Sequence, residues 1–258
     1  MSLLHCRELV EAGDPDRALV TAGATAAAQE RLWPLWAFNL EVARAPWAAR
    51  EPLVAEMRLQ FWADAVARQG AGQTATGHPV LAPLAVGAWP GEAEVLGALV
   101  EARRRDVWRE GFADAAALDA YLEATAAGLM WAAARRLGAP AAAEPAVRGF
   151  GWAAGLAAWL RAVPELVARG WEPLPAGLEA GAEVAALARQ GLDRIARARA
   201  ARGRVPAAAF PALATGWQAA GVLNRAARAP ERVAEGRLAP SEFARRGGLA
   251  WAGLNGRW

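Results

Sequence analysis

Leu32-Trp-Pro-Leu-Trp-Ala-Phe-Asn-Leu-Glu-Val-Ala43 is apolar almost throughout, yet it carries one amide, Asn39, and one carboxylate, Glu41. Polar groups in such a stretch are either solvated or placed in a cavity. Thr25 is the expected cap of the helix that contains it, Ala26–Arg44, with Pro34 bending it and Pro46 ending it.

The same reading extends both ways. On the N-terminal side, Ser2 caps a helix over Leu3–Ala12, and Asp14-Pro15 is a cap followed by proline at the first helical position. Beyond the stretch, Glu51-Pro52 opens a helix to Arg68. Its apolar residues Leu53, Val54, Met57, Phe61 and Val66 recur at helical spacing, and Glu56, Gln60 and Asp64 form a polar stripe at i, i+4. Gly70–Pro79 is a loop and Val80–Ala88 a short helix. Glu92–Val107 is one long helix, and Asp114 caps Ala115–Leu137. Ala146–Arg169 is the most apolar helix, followed by a loop at Gly170–Gly177. Helices are further expected at Leu178–Arg202, Ala207–Ala227, Pro230–Glu235 and Ser241–Leu254. No period-2 strand, internal repeat or linker-like composition shift interrupts this pattern. The prediction is an all-α fold, a single domain spanning residues 1–258.

Composition narrows the function. Every one of the 29 basic residues is arginine, but the net charge is only +3, which argues against nucleic acid as a partner. The Arg103–Arg105, Arg135–Arg136 and Arg245–Arg246 clusters read as solvated helix ends. No secretory signal or membrane-spanning stretch is evident, so a cytoplasmic location is expected. Ser2 and Ser241 are the only serines and suit helix caps, which leaves no nucleophile for triad chemistry. Cys6 beside His5 has no second pair to complete a zinc site. His78 reads as a loop or cap residue. Gly151-x-x-x-Gly155 marks close helix packing. A helical enzyme of this composition is left with carboxylates and a metal, and no Asp-x-x-x-Asp pair occurs in the apolar helices.

Trp36-Ala37-Phe38-Asn39-Leu40-Glu41, Glu56-Met57-Arg58-Leu59-Gln60-Phe61-Trp62-x-Asp64, His78-Pro79-Val80 and Glu101-Ala102-Arg103-x-x-Asp106 follow one another in an order that resembles the squalene/phytoene synthase family, in particular a proteobacterial branch related to a mitochondrial assembly factor for respiratory complex I. Trp36-Ala37-Phe38-Asn39-Leu40-Glu41 is similar to that branch's Tyr-Ala-Phe-Asn-x-Glu. Glu56-Met57-Arg58-Leu59-Gln60-Phe61-Trp62-x-Asp64 resembles its most characteristic helix. His78-Pro79-Val80, Glu101-Ala102-Arg103-x-x-Asp106, Leu118-x-x-Tyr121, Gly128-Leu129-Met130, Leu160-Arg161 and Leu174-Pro175 follow in the family's order. The resemblance implies an isoprenoid-synthase-like helical bundle around a central cavity. It also implies four aspartates that hold diphosphates through magnesium. Those four positions fall here on Ala43, Trp47, Ala162 and Leu166, none of which can ligate a hard cation, and only Glu165 survives between them.

The resemblance with these departures implies a catalytically degenerate member, with no catalytic residue assigned and no cofactor. Its expected ligand is an isoprenoid or quinone-like lipid, and its expected role is assembly of a respiratory complex through contact with one of its subunits. The residues expected to line the cavity or touch a ligand are Asn39, Glu41, Arg58, Trp62, Asp64, Asp106, Tyr121 and Glu165. The structural alternative makes Arg58 a buried partner of Asp64 or Glu56 and Trp62 a core residue. An active magnesium-dependent head-to-head prenyl transferase instead requires Glu41, Asp64, Asp106 and Glu165 to converge on one cavity. Trp251 and Trp258, beside Arg245, Arg246 and Arg257, have the composition of a peripheral contact with the inner membrane.

Overall fold

The computed structural model describes residues 3–49, 51–176, 181–256 and 258, which form helices and connecting turns with no strand among them. In chain order the α-helices are α1 (Leu3–Gly13), α2 (Pro15–Ala22), α3 (Ala26–Arg44), α4 (Pro52–Gly70), α5 (Leu81–Ala85), α6 (Glu92–Ala102), α7 (Arg104–Trp108), α8 (Ala115–Leu122), α9 (Gly128–Arg136), α10 (Glu144–Ala168), α11 (Ala182–Ala200), α12 (Phe210–Ala214), α13 (Ala219–Arg228), α14 (Glu231–Ala234) and α15 (Glu242–Asn255). The Ser2 cap, the start of the helix expected from Leu178, the end of the Gly170–Gly177 loop and Arg257 lie outside the described residues.

Local capping chemistry fixes the helix starts. Asp14 Oδ1 accepts from Arg17 N at 2.9 Å, Thr25 Oγ1 from Ala28 N at 3.3 Å, Asp114 Oδ1 from Ala117 N at 2.8 Å, and Ser241 Oγ from Ala244 N at 3.2 Å. α3 is apolar all round and is buried on nearly every side from Leu32 to Val42, as a central helix must be. α10 is the second central helix and buries Phe150, Trp152, Leu156, Trp159 and Leu160.

Three expected helices are interrupted. Glu92–Val107 breaks at Arg103, where Asp106 N donates to Arg103 O at 3.0 Å in a tighter turn. Ala115–Leu137 contains a π turn, Glu123–Ala127, between α8 and α9, and there Thr125 Oγ1 donates back to Tyr121 O at 2.6 Å. α10 packs tightly against that turn and the start of α9: a Cβ on Gly155 would collide with Ala126 Cβ, and one on Gly151 would lie 2.9 Å from Met130 Cβ. The Gly-x-x-x-Gly pair is thus the small-residue contact its spacing suggested. Ala207–Ala227 splits around Gly216, where a Cβ would lie 2.7 Å from Phe150 Cε1.

Of the apolar residues expected to share a face of α4, Val66 is buried and Phe61 half-buried, but Leu53, Val54 and Met57 are exposed. Leu53 is 70% exposed and Met57 65%, while Ala55, Leu59, Trp62, Ala65 and Val66 are buried. Trp62 decides the orientation, because its ring packs edge-on against Phe38 of α3 at 5.5 Å and has the most apolar area to hide.

The arginine clusters are mostly not solvated helix ends. Arg136 is 1% exposed and holds Glu92 through two bonds, Nε to Oε1 at 2.7 Å and Nη2 to Oε2 at 2.8 Å. Arg104 joins Glu56, Gln60 and Glu101, tying α7 to α4, and Arg105 stacks on Phe112 at 3.6 Å. Arg245 reaches Asp16 of α2 at 2.5 Å, and only Arg246 of that pair stays in solvent. Arg104, Arg136 and Arg245 each reach a carboxylate on a distant segment, which a local reading of helix ends cannot anticipate.

Candidate functional site

A cavity of about 650 Å³ opens between α3 and α10. Trp36, Asn39, Leu40 and Ala43 line it from α3, and Ala154, Ala158, Arg161, Ala162, Glu165 and Leu166 line it from α10. The π turn contributes Thr125 and Ala126, and α9 contributes Leu129 and Met130. Alanine, glycine and larger apolar side chains make up most of the wall, and charged groups, among them Asp14, Asp16, Arg17, Arg161 and Glu165, interrupt it.

One end holds a buried polar triad. Arg103 Nη1 donates to Asp106 Oδ2 at 3.0 Å and to Tyr121 Oη at 2.6 Å, and Tyr121 Oη donates to the same Asp106 oxygen at 2.9 Å. Burial pushes the Asp106 carboxyl above the usual carboxylate range, against the pull of Arg103 and the Tyr121 hydrogen bond. The Tyr121 phenol is pushed up by the same burial, and the neighbouring Asp106 adds to it. Burial disfavours the Arg103 cation, but Tyr121 and Asp106 outweigh that and raise its pKa. An aromatic wall stands beside the triad: Trp159 lies 5.2 Å from Tyr121 and 6.0 Å from Trp171, and Trp171 lies 5.4 Å from Trp47. Trp159 Nε1 donates to Pro173 O at 2.7 Å, which fixes the loop after α10.

The structure brings four of the eight expected residues, Asn39, Asp106, Tyr121 and Glu165, to this cavity. The other four point elsewhere. Glu41 turns toward His78, with Oε2 at 3.7 Å from Nε2. Burial holds the His78 imidazole below its usual pKa, with Glu41 partly opposing, and Nδ1 accepts from Val80 N at 3.3 Å, so this is a loop-capping histidine. Trp62 is core. Arg58 and Asp64 are exposed on α4 and do not form the expected buried pair: Asp64 accepts from Gln60, and Glu56 is taken by Arg104. A shared helix stripe establishes that residues face the same way, not that they face inward.

Sequence reasoning passed over Arg103, Trp159, Trp171 and Gln218 as site residues. The i, i+3 spacing of Arg103 and Asp106 was the available signal for the first. The tail differs too. Trp251 is 68% exposed, but Trp258 is buried, its ring 4.8 Å from Phe150.

The squalene/phytoene synthase family model matches residues 10–240. The chain belongs to the squalene/phytoene synthase family. A crystal structure of a dehydrosqualene synthase in complex with ligand shares the fold, with a TM-score of 0.78 and 13% sequence identity over 98% of this chain and 95% of that one. No curated protein matches the chain in sequence. The expected all-α bundle around a central cavity is thus the fold of this family member.

The magnesium that the family resemblance implies does not fit the residues present. Ala43, Trp47, Ala162 and Leu166 all line the cavity and offer no oxygen donor. Glu165 is bonded to Arg169, and Arg169 also lies over the Trp47 ring at 5.0 Å. Among the described residues no three His, Cys, Asp or Glu side chains gather closely enough to hold a metal ion.

Proposed function

We propose that this family member no longer condenses isoprenoid diphosphates and instead uses its cavity to hold an isoprenoid or quinone-like lipid. The carrying observation is that Ala43, Trp47, Ala162 and Leu166 face one cavity from α3 and α10. A site that must neutralise diphosphates needs hard oxygen ligands there. Alanine, leucine and a stacked tryptophan make the same wall suitable for a hydrocarbon chain. The separation of Glu41 and Asp64 from the cavity removes the convergence that an active transferase requires.

Incubation with farnesyl or geranylgeranyl diphosphate and magnesium is expected to release diphosphate at the background rate, while farnesol quenches the intrinsic tryptophan fluorescence saturably. Release clearly above background and abolished by Glu165→Ala would overturn the reading.

The role we attach to this lipid-holding bundle is assembly of a respiratory complex, at a membrane surface. No helix among the described residues is long and apolar enough to cross a membrane. The surface contact is assigned to Phe243, 89% exposed, with Arg246 and Trp251 on α15. Equal sedimentation with liposomes by the full chain and by a chain ending at Ala239 would remove that contact.

A further inference from the structure

We infer that the polar end of the cavity is built for a neutral hydroxyl head, so that the lipid it takes is a prenyl alcohol or a prenyl hydroquinone and not a diphosphate. The inference rests on the lipid-holding reading above and adds the chemistry of the head.

Five buried polar atoms of cavity-lining residues have no partner: Asp106 Oδ1, Trp171 Nε1, Arg103 Nε, Arg17 Nε and Gln218 Oε1, and of these five side chains only those of Asp106 and Trp171 are fully buried. Asp106 is 2% exposed and Trp171 4%. Both hydrogen bonds to Asp106 fall on Oδ2, so its second oxygen is left as an open acceptor in a place that water reaches poorly. Trp171 is held by stacking on Trp47 and Trp159, which leaves its N–H as an open donor. Buried polar groups in native proteins are paired, and those that are not mark a missing partner. One acceptor and one donor are the complement of a hydroxyl, which donates once and accepts at its lone pairs.

Charge argues the same way. The cation of Arg103 is matched by the carboxylate of Asp106 at 3.0 Å, so the pair carries no net charge. A diphosphate has several negative charges and only acceptors. It would meet the Asp106 oxygen as a repulsion and could not satisfy it. The aromatic wall of Trp47, Trp159 and Trp171 suits the first isoprene unit or a hydroquinone ring next to the hydroxyl.

The test uses the full chain and fluorescence titrations of two matched pairs without magnesium. Farnesol is compared with farnesyl methyl ether, which keeps the accepting oxygen but has no O–H. A short-chain benzoquinone is compared with its hydroquinone. A hydrogen bond to a charged acceptor makes the O–H member of a pair bind about tenfold more tightly. Discrimination in the first pair identifies a prenyl alcohol, and discrimination in the second a hydroquinone. Trp171→Phe keeps an aromatic ring and removes the donor, and it is expected to weaken farnesol and its ether alike, by roughly fivefold. Equal binding within both pairs, tighter binding of farnesyl diphosphate than of farnesol, or an unchanged Trp171→Phe protein would overturn the hydroxyl assignment and leave the cavity reading standing. Binding of none of these lipids would overturn both.

Discussion

Replacing Arg136 with methionine is expected to destabilise the fold by about 3–5 kcal/mol, the usual cost of stranding one charge of a buried pair. Arg136 and Glu92 are 1% and 4% exposed, and no water competes for their two bonds. The guanidinium also donates to Leu84 O at 2.6 Å and Arg31 O at 3.1 Å, and Arg31 returns a bond to Arg136 O at 2.6 Å. One side chain thus ties α3, α5, α6 and α9 together. Urea unfolding at neutral pH should show a lower midpoint with an unchanged slope. The double variant Arg136→Met/Glu92→Leu should recover only part of the loss. It removes the stranded carboxylate, but the Leu84 carbonyl still loses its Arg136 donor, at about 1–3 kcal/mol, and the Arg31 carbonyl is left with its helical bond alone. Full recovery would mean that the Leu84 carbonyl finds another partner. No recovery would mean that Glu92 was never the stranded group.

Arg136 also marks the limit of what the sequence makes legible. Caps are read correctly because Asp14, Thr25, Asp114 and Ser241 bond to amides only three residues away. Partners such as Glu92, 44 residues from Arg136, leave no local trace, so a basic pair near a helix end looks solvated whether or not it is. The same distinction divides the candidate site. Asn39, Asp106, Tyr121 and Glu165 reach the cavity, and so do Ala43, Trp47, Ala162 and Leu166, because a resemblance to a family carries a tertiary placement that periodicity lacks. Arg58 and Asp64 lie in an equally good motif, but α4 rotates to bury Trp62 and carries them to the surface. The break at Arg103 and the π turn at Glu123–Ala127 escaped notice because neither a proline nor a glycine announces them.

Filling the cavity separates its volume from its polar end. Ala158 lines it from the middle of α10 and is exposed there, so a larger side chain enters empty space and not packed atoms. Ala158→Phe is expected to leave the urea midpoint nearly unchanged while weakening farnesol about a hundredfold. A phenyl ring displaces roughly three or four methylenes of the lipid, and each lost burial costs about 0.8 kcal/mol. Ala153 supplies the contrast. It sits five residues earlier on the same helix, fully buried in the core, and Ala153→Phe has no void to fill. Overpacking there should cost about 1–3 kcal/mol of stability and leave the affinity of the protein that remains folded close to wild type. The opposite responses at two alanines of one helix would locate the ligand in the cavity. Wild-type affinity in Ala158→Phe would place the bound farnesol outside it, because the side chain and the prenyl chain cannot share that volume.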